Sequence, residues 1–220
     1  MTDLQLNGFG KSKGGTFKGV QLNGIHYCFD LITCETFQAQ GIFKVDEVIC
    51  QKVMEFEGIA RVKQLKTSHF EGVGVCQVKQ NLQCDSLEFG GYLKVGESLK
   101  VGQAVIRGKF KFGEQVEAKV LTGMFEGKSS FEVMSADVIC LKREEEGFYT
   151  ENRSWPLRFK NVRVSGQLIE GEQIDIEYCH VKQVYGDYVK IGPYCQIDEV
   201  EYKESLEIHP TAVVKRLKRL

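Results

Sequence analysis

Leu4-Gln-Leu-Asn-Gly8, Val20-Gln-Leu-Asn-Gly24, Phe37-Gln-Ala-Gln-Gly41, Met54-Glu-Phe-Glu-Gly58, Phe70-Glu-Gly-Val-Gly74, Leu87-Glu-Phe-Gly-Gly91 and Ala104-Val-Ile-Arg-Gly108 are versions of one five-residue phrase. Their glycines are spaced by 16, 17, 17, 16, 17 and 17 residues. The first and third positions are mostly apolar, the second is usually Gln or Glu, and glycine closes the phrase. Four residues past the glycine an apolar residue returns, at Cys28, Val45, Val62, Val78, Val95 and Phe112. Alternation with a period of two is the pattern of a strand with one buried face. A repeat of roughly 17 residues is too short for two helices or for a four-stranded propeller blade. It fits three short strands joined by tight turns, and stacking such turns gives an all-β parallel β-helix in which each turn pairs only with its neighbours. Glycine at the corner permits the positive φ that a sharp bend requires.

Composition agrees. The 220 residues include 23 Val and 14 Phe against 6 Ala and 16 Leu, a bias toward residues that suit a pleated, half-buried surface. Only three prolines occur, so few ladder donors are lost. Hydrophobic residues make up 42% of the chain, enough to fold around a core. The 29 basic and 30 acidic residues cancel to −1, which argues against nucleic acid as a partner. No stretch approaches the ~20 apolar residues of a membrane-spanning helix.

The phrase drifts after Gly108. Residues 142–156, Lys-Arg-Glu-Glu-Glu-Gly-Phe-Tyr-Thr-Glu-Asn-Arg-Ser-Trp-Pro, break it, and the pattern resumes at Val162-Arg-Val-Ser-Gly166. The expected organisation is a β-helix block over 1–141, a loop or hinge over 142–160, and a second β-helix block over 161–220, about eleven turns in all. The last residues, Val213-Val-Lys-Arg-Leu217-Lys-Arg-Leu220, fit a final strand, a short amphipathic cap or a solvated tail. Four basic residues in the last six would also permit weak peripheral contact with anionic lipid.

Eight cysteines carry no C-x-x-C spacing, and without an apolar leader they are expected to be reduced thiols of a cytoplasmic protein. Cys34 and Cys84 fall ten residues past their glycines, and Cys179 and Cys195 lie one turn apart. Buried stacked thiols are the favoured reading over a metal ladder, because His26, His69, His180 and His209 share no position in the repeat. No cofactor or metal is expected.

Catalytic motifs fail on inspection. Gly10-Lys-Ser12 ends like a phosphate-binding loop, but the required earlier glycine is Gln5. Gly8-x-Gly10 lacks the third glycine of a dinucleotide fingerprint, since Lys13 stands there. The eight Asp are scattered over different repeat positions, unlike the clustered carboxylates of solenoid glycosidases and lyases. Val189 to Ile197 is reminiscent of the hexapeptide of acyltransferases, but one or two hexads do not build such an enzyme. No catalytic residues are assigned; the alternative expectation is a β-solenoid enzyme acting on carbohydrate or transferring acyl groups.

The repeat over residues 3–140, with Tyr185-Gly-Asp-Tyr-Val-Lys-Ile-Gly-Pro-Tyr-Cys-Gln-Ile-Asp-Glu-Val and the residues that follow, resembles the bactofilins, polymer-forming cytoskeletal proteins of bacteria, and in particular the longer Bacillus-type members. The resemblance implies a right-handed triangular β-helix that joins end to end into filaments without nucleotide. It further implies a non-enzymatic scaffold, self-associated or copolymerised with a paralogous bactofilin, that positions other proteins. Such a chain would assemble through its terminal strands, and the expected assembly residues are Leu4, Leu6, Leu217 and Leu220.

Overall fold

A computed structural model describes residues 2–144 and 162–220. Every regular element is a strand and no helix occurs among them. The strands build a parallel β-solenoid of about 12 turns with roughly 17 residues per turn. In order they are β1 (Leu4–Thr16), β2 (Gly19–Val78), β3 (Leu82–Val95), β4 (Ser98–Phe112), β5 (Gln115–Phe125), β6 (Lys128–Ser130), β7 (Val133–Arg143), β8 (Arg163–Ile176), β9 (Cys179–Ile191), β10 (Gln196–Ile208) and β11 (Val213–Arg219). The chain divides into two compact units, Met1–Gly102 and Gln103–Leu220.

In the first unit the phrase sets the register. Leu4 lies beside Val20, Leu6 beside Leu22 and Gly8 beside Gly24, and β2 meets β3 with Phe70 beside Leu87 and Gly74 beside Gly91. The corner glycines Gly24, Gly41, Gly58 and Gly74 are required for two reasons at once. Gly58 has φ +127°, and a Cβ there would fall inside the carbonyl oxygen of Gly41 one turn away. Each corner therefore occupies the space that a side chain on the next would need, which propagates glycine along the ladder. All six apolar residues four past the glycines, from Cys28 to Phe112, are buried.

Packing inside this unit is aromatic. Phe56 and Phe89, two turns apart, approach to 5.8 Å between ring centroids. They meet across Gly72, where a Cβ would overlap the Phe56 ring. Gly72 is thus a spacer between rings rather than a bend, and its φ lies outside the positive range. Phe70 fills the remaining side, 5.8 Å from Phe56 and 6.1 Å from Phe89, in the tilted and offset geometries that aromatic quadrupoles favour.

In the second unit the spacing is irregular while the ladder stays intact. Gln115 pairs with Val133, Val133 with Leu168, and Val164 with Cys179. The step from Val133 to Leu168 shows β7 and β8 stacked directly, across the whole stretch expected as a loop or hinge. Strand β7 also runs to Arg143, two residues into that stretch; residues 145–161 lie outside the described residues. The core here is mainly aliphatic, with Ile139, Leu141, Ile174, Ile176, Val184, Val189 and Val200 buried. Gly166, expected as a corner from its place in the phrase, instead leaves room for the Phe131 ring.

Candidate assembly edges

The four expected assembly residues sit on two strand edges. β1 pairs only with β2 and β11 only with β10, so among the described residues each has an unpaired outer edge. Along β1, Leu4 and Leu6 face inward over the buried Val20 and Leu22, and both remain half-exposed. They are the last layer of an apolar column with nothing above it. His26 is buried beneath the same strand. Its Nε2 meets the Asn23 carbonyl oxygen at 3.0 Å, while its Nδ1 has no hydrogen-bond partner among the described residues and lies next to Gly10. Phe9 also projects from β1, 72% exposed, its ring meeting Tyr27 edge-on.

The tail resolves as a strand. Val213 to Arg219 adds in parallel to β10, with Ile197 beside Val214 and Val200 beside Leu217. Val214 and Leu217 therefore continue the inward columns that run through Val181–Ile197 and Val184–Val200. Leu217 is 54% exposed because the column stops there. Leu220 lies one residue past the strand, its N–H donating to the Tyr202 carbonyl. The sequence drew attention to Leu220 but passed over Val214, whose inward place becomes visible only with the register.

The basic residues of β11 are engaged sideways. Lys215 meets Asp198 at 2.7 Å, Arg216 meets Glu199 at 3.3 Å and Lys218 meets Glu201 at 3.1 Å. Arg219 donates to the Lys203 carbonyl. Exposed pairs of this kind contribute little each, but they hold the strand in one register and orient its cations along the neighbouring acidic strand. The Lys215 ammonium, through its hydrogen bond, holds the Asp198 carboxyl below its usual range.

The chain matches no family model, no curated protein and no solved structure.

The remaining candidate chemistry is interior. Seven of the eight cysteines are buried, Cys140 being the half-buried one, and none is disulfide-bonded. Burial pushes the Cys76 and Cys84 thiols up to about 12. A hydrogen bond to Cys50, together with burial, holds the Cys34 thiol far above its usual range. Among the described residues no group of three His, Cys, Asp or Glu side chains is placed to hold a metal ion, and no helix is long and apolar enough to cross a membrane.

Proposed function

We propose that this chain is a bactofilin-like, non-enzymatic scaffold of the cytoplasm that assembles through its strand edges and positions other proteins. The observation that carries this reading is the pair of unfinished columns, Leu4 and Leu6 on β1 and Val214 and Leu217 on β11. Each exposes apolar surface beside a row of unpaired backbone groups, and a strand edge of that kind is a template for another chain. Two β11 edges would bring Lys215, Arg216, Lys218 and Arg219 against their own copies. On β1 the exposed Gln5 and Asn7 are uncharged, and Lys11 and Lys13 add two exposed cations against the four of β11. Repulsion is thus weaker for β11 of one copy against β1 of the next than for two β11 edges, and only that heterologous contact adds copies in a constant direction, which builds filaments when it does not close into a ring. With the β11 cations already facing β10 carboxylates, membrane contact is the secondary part of this reading.

The test is sedimentation across protein concentration with negative-stain microscopy. Filaments or concentration-dependent oligomers are expected. Leu6→Lys and Leu217→Glu should each shorten or abolish them with the β-sheet circular dichroism unchanged, because a charge in the junction loses its water without gaining a partner. A monodisperse monomer at high concentration, or normal assembly by both variants, would refute edge-to-edge joining.

A further inference from the structure

A groove of about 460 Å³ opens on one corner of the second unit, lined by Lys128, Arg143, Arg163, His180, Tyr178 and Tyr194, with Gln196 and Thr211 at its side. That volume suits a small ligand rather than a macromolecular surface. Among the described residues no carboxylate lines it, in a chain where acidic residues outnumber basic ones. Asp175 and Glu177, which precede the lining Tyr178 on the same turn, are occupied elsewhere: both bind Lys142, at 2.5 and 2.9 Å.

The cations are placed where folding alone does not want them. Lys128 lies directly beside Arg163 in the parallel register of β6 and β8, and like charges opposed across strands are destabilising. Neither has an ion-pair partner among the described residues. An anion between them would turn this repulsion into two attractions. Burial and the Arg163 guanidinium hold His180 below the usual histidine range.

The tyrosines define the rest of the ligand. Tyr178 and Tyr194 occupy the same corner on successive turns, their centroids 4.9 Å apart and ring planes tilted by 35°. Arg143 covers Tyr178 at 5.2 Å from the centroid and donates to its hydroxyl at 3.3 Å. With one face under Arg143 and the other against Tyr194, Tyr178 offers no platform, and the rings are too close to admit a base between them. Beyond Tyr194 the next turn supplies the small Thr211, whose hydroxyl accepts the Tyr194 N–H at 3.2 Å, and Tyr194 is 56% exposed. One open aromatic face, flanked by the polar groups of Gln196, His180 and Thr211, matches a pyranose: its C–H face packs on the ring while its hydroxyls find donors and acceptors.

We infer that this groove binds an acidic sugar, with the pyranose on Tyr194 and its carboxylate or phosphate between Arg163 and Lys128. The full chain is titrated calorimetrically with glucuronic acid, glucose 6-phosphate, glucose and inorganic phosphate, and saturation-transfer NMR follows the sugar ring protons. At least one acidic sugar should bind about tenfold or more tightly than glucose, the worth of one charge-assisted hydrogen bond; the tighter of the two identifies the anion. Arg163→Gln, and separately Lys128→Gln, should reduce acidic-sugar affinity toward that of glucose. Tyr194→Ala should remove transfer to the ring protons. All three sites are exposed, and unchanged circular dichroism confirms the fold. Glucose binding as tightly as both acidic sugars, inorganic phosphate matching glucose 6-phosphate, or indifference to both charge variants would overturn the assignment. Saturable binding of a short single-stranded DNA in place of the sugars would transfer the groove to nucleic acid and overturn it equally.

Discussion

Two successive corners of the second unit solve with tyrosine a geometric problem that the first unit, and Gly108 and Gly127 of the second, solve with glycine. In Met1–Gly102 the chain bends at Gly24, Gly41, Gly58, Gly74 and Gly91, all at φ between +114° and +127°. In Gln103–Leu220 two successive corners are tyrosines, Tyr178 at φ +51° and Tyr194 at +56°. Glycine bends there without a steric cost, whereas a bulky aromatic in the left-handed region is strained by about 1 kcal/mol or more. The glycine corner also brings neighbouring backbones so close that no Cβ fits. The tyrosine corner leaves room for a side chain and uses it to display a ring. The first design repeats and is silent; the second departs from the repeat and carries a surface.

The difference can be broken by substitution. The interior both designs protect should be the least forgiving. Val62→Lys, at a position 1% exposed between neighbours on adjacent turns, should lose about 4 kcal/mol or fail to fold, since the ammonium would be buried unpaired; soluble yield and thermal melting read this directly. Gly58→Ala should cost about 3 kcal/mol by denaturant melting, adding overlap with the Gly41 carbonyl to the left-handed strain.

A third expectation replaces shape by charge. Unfolded, the Cys76 and Cys84 thiols ionise near 9.0, and folded they keep their protons to about 12. Between those values the unfolded chain has released protons that the folded chain retains, so stability falls as pH rises from 9 toward 12. The loss should reach about 3 kcal/mol at pH 10 relative to pH 8, roughly half from each thiol. Cys76→Ala would flatten part of that slope, and native protein should react slowly with a thiol reagent.

Two smaller effects sharpen the comparison. Gly8 bends at φ +83° but a Cβ there would meet nothing within 4 Å. Gly8→Ala should therefore cost only about 1 kcal/mol, the left-handed strain by itself. Tyr194→Gly should fall within about 1 kcal/mol of the parent, because relief of strain offsets the lost ring stacking and the entropy of glycine. If Tyr194→Gly costs as much as Gly58→Ala, the tyrosine corner is a structural necessity and not a display.

The sequence disclosed the first unit almost completely because there a single constraint, no Cβ at the corner, recurs with each turn and fixes both the period and the inward positions. It disclosed less of the second. Nothing in Glu177-Tyr178-Cys179 signals a bend, and although Gly192-Pro193 marks a turn, it does not say that Tyr194 takes the left-handed position; Gly166 misled by occupying a corner position while serving as a spacer. The groove draws on Lys128, Arg163 and Tyr194, which only register brings together. The tail was ambiguous for a similar reason: Val213 to Leu220 suits strand or helix equally until Asp198, Glu199 and Glu201 stand opposite its cations. One cue was present, in the acidic run placed 17 residues before the basic one.

The ladder between β7 and β8 carries a different kind of consequence. Val133 to Leu141 and Leu168 to Ile176 hold one another in register with 35 residues of chain between partners, about twice the normal interval. The pairing of β7 with β8, and not the length of chain between them, therefore sets their register, and the entropy of closing such an interval grows only slowly with its length. In the end-to-end polymer proposed above, this doubled interval would recur once in every subunit, so the fibre would carry a period set by the subunit and not by the turn.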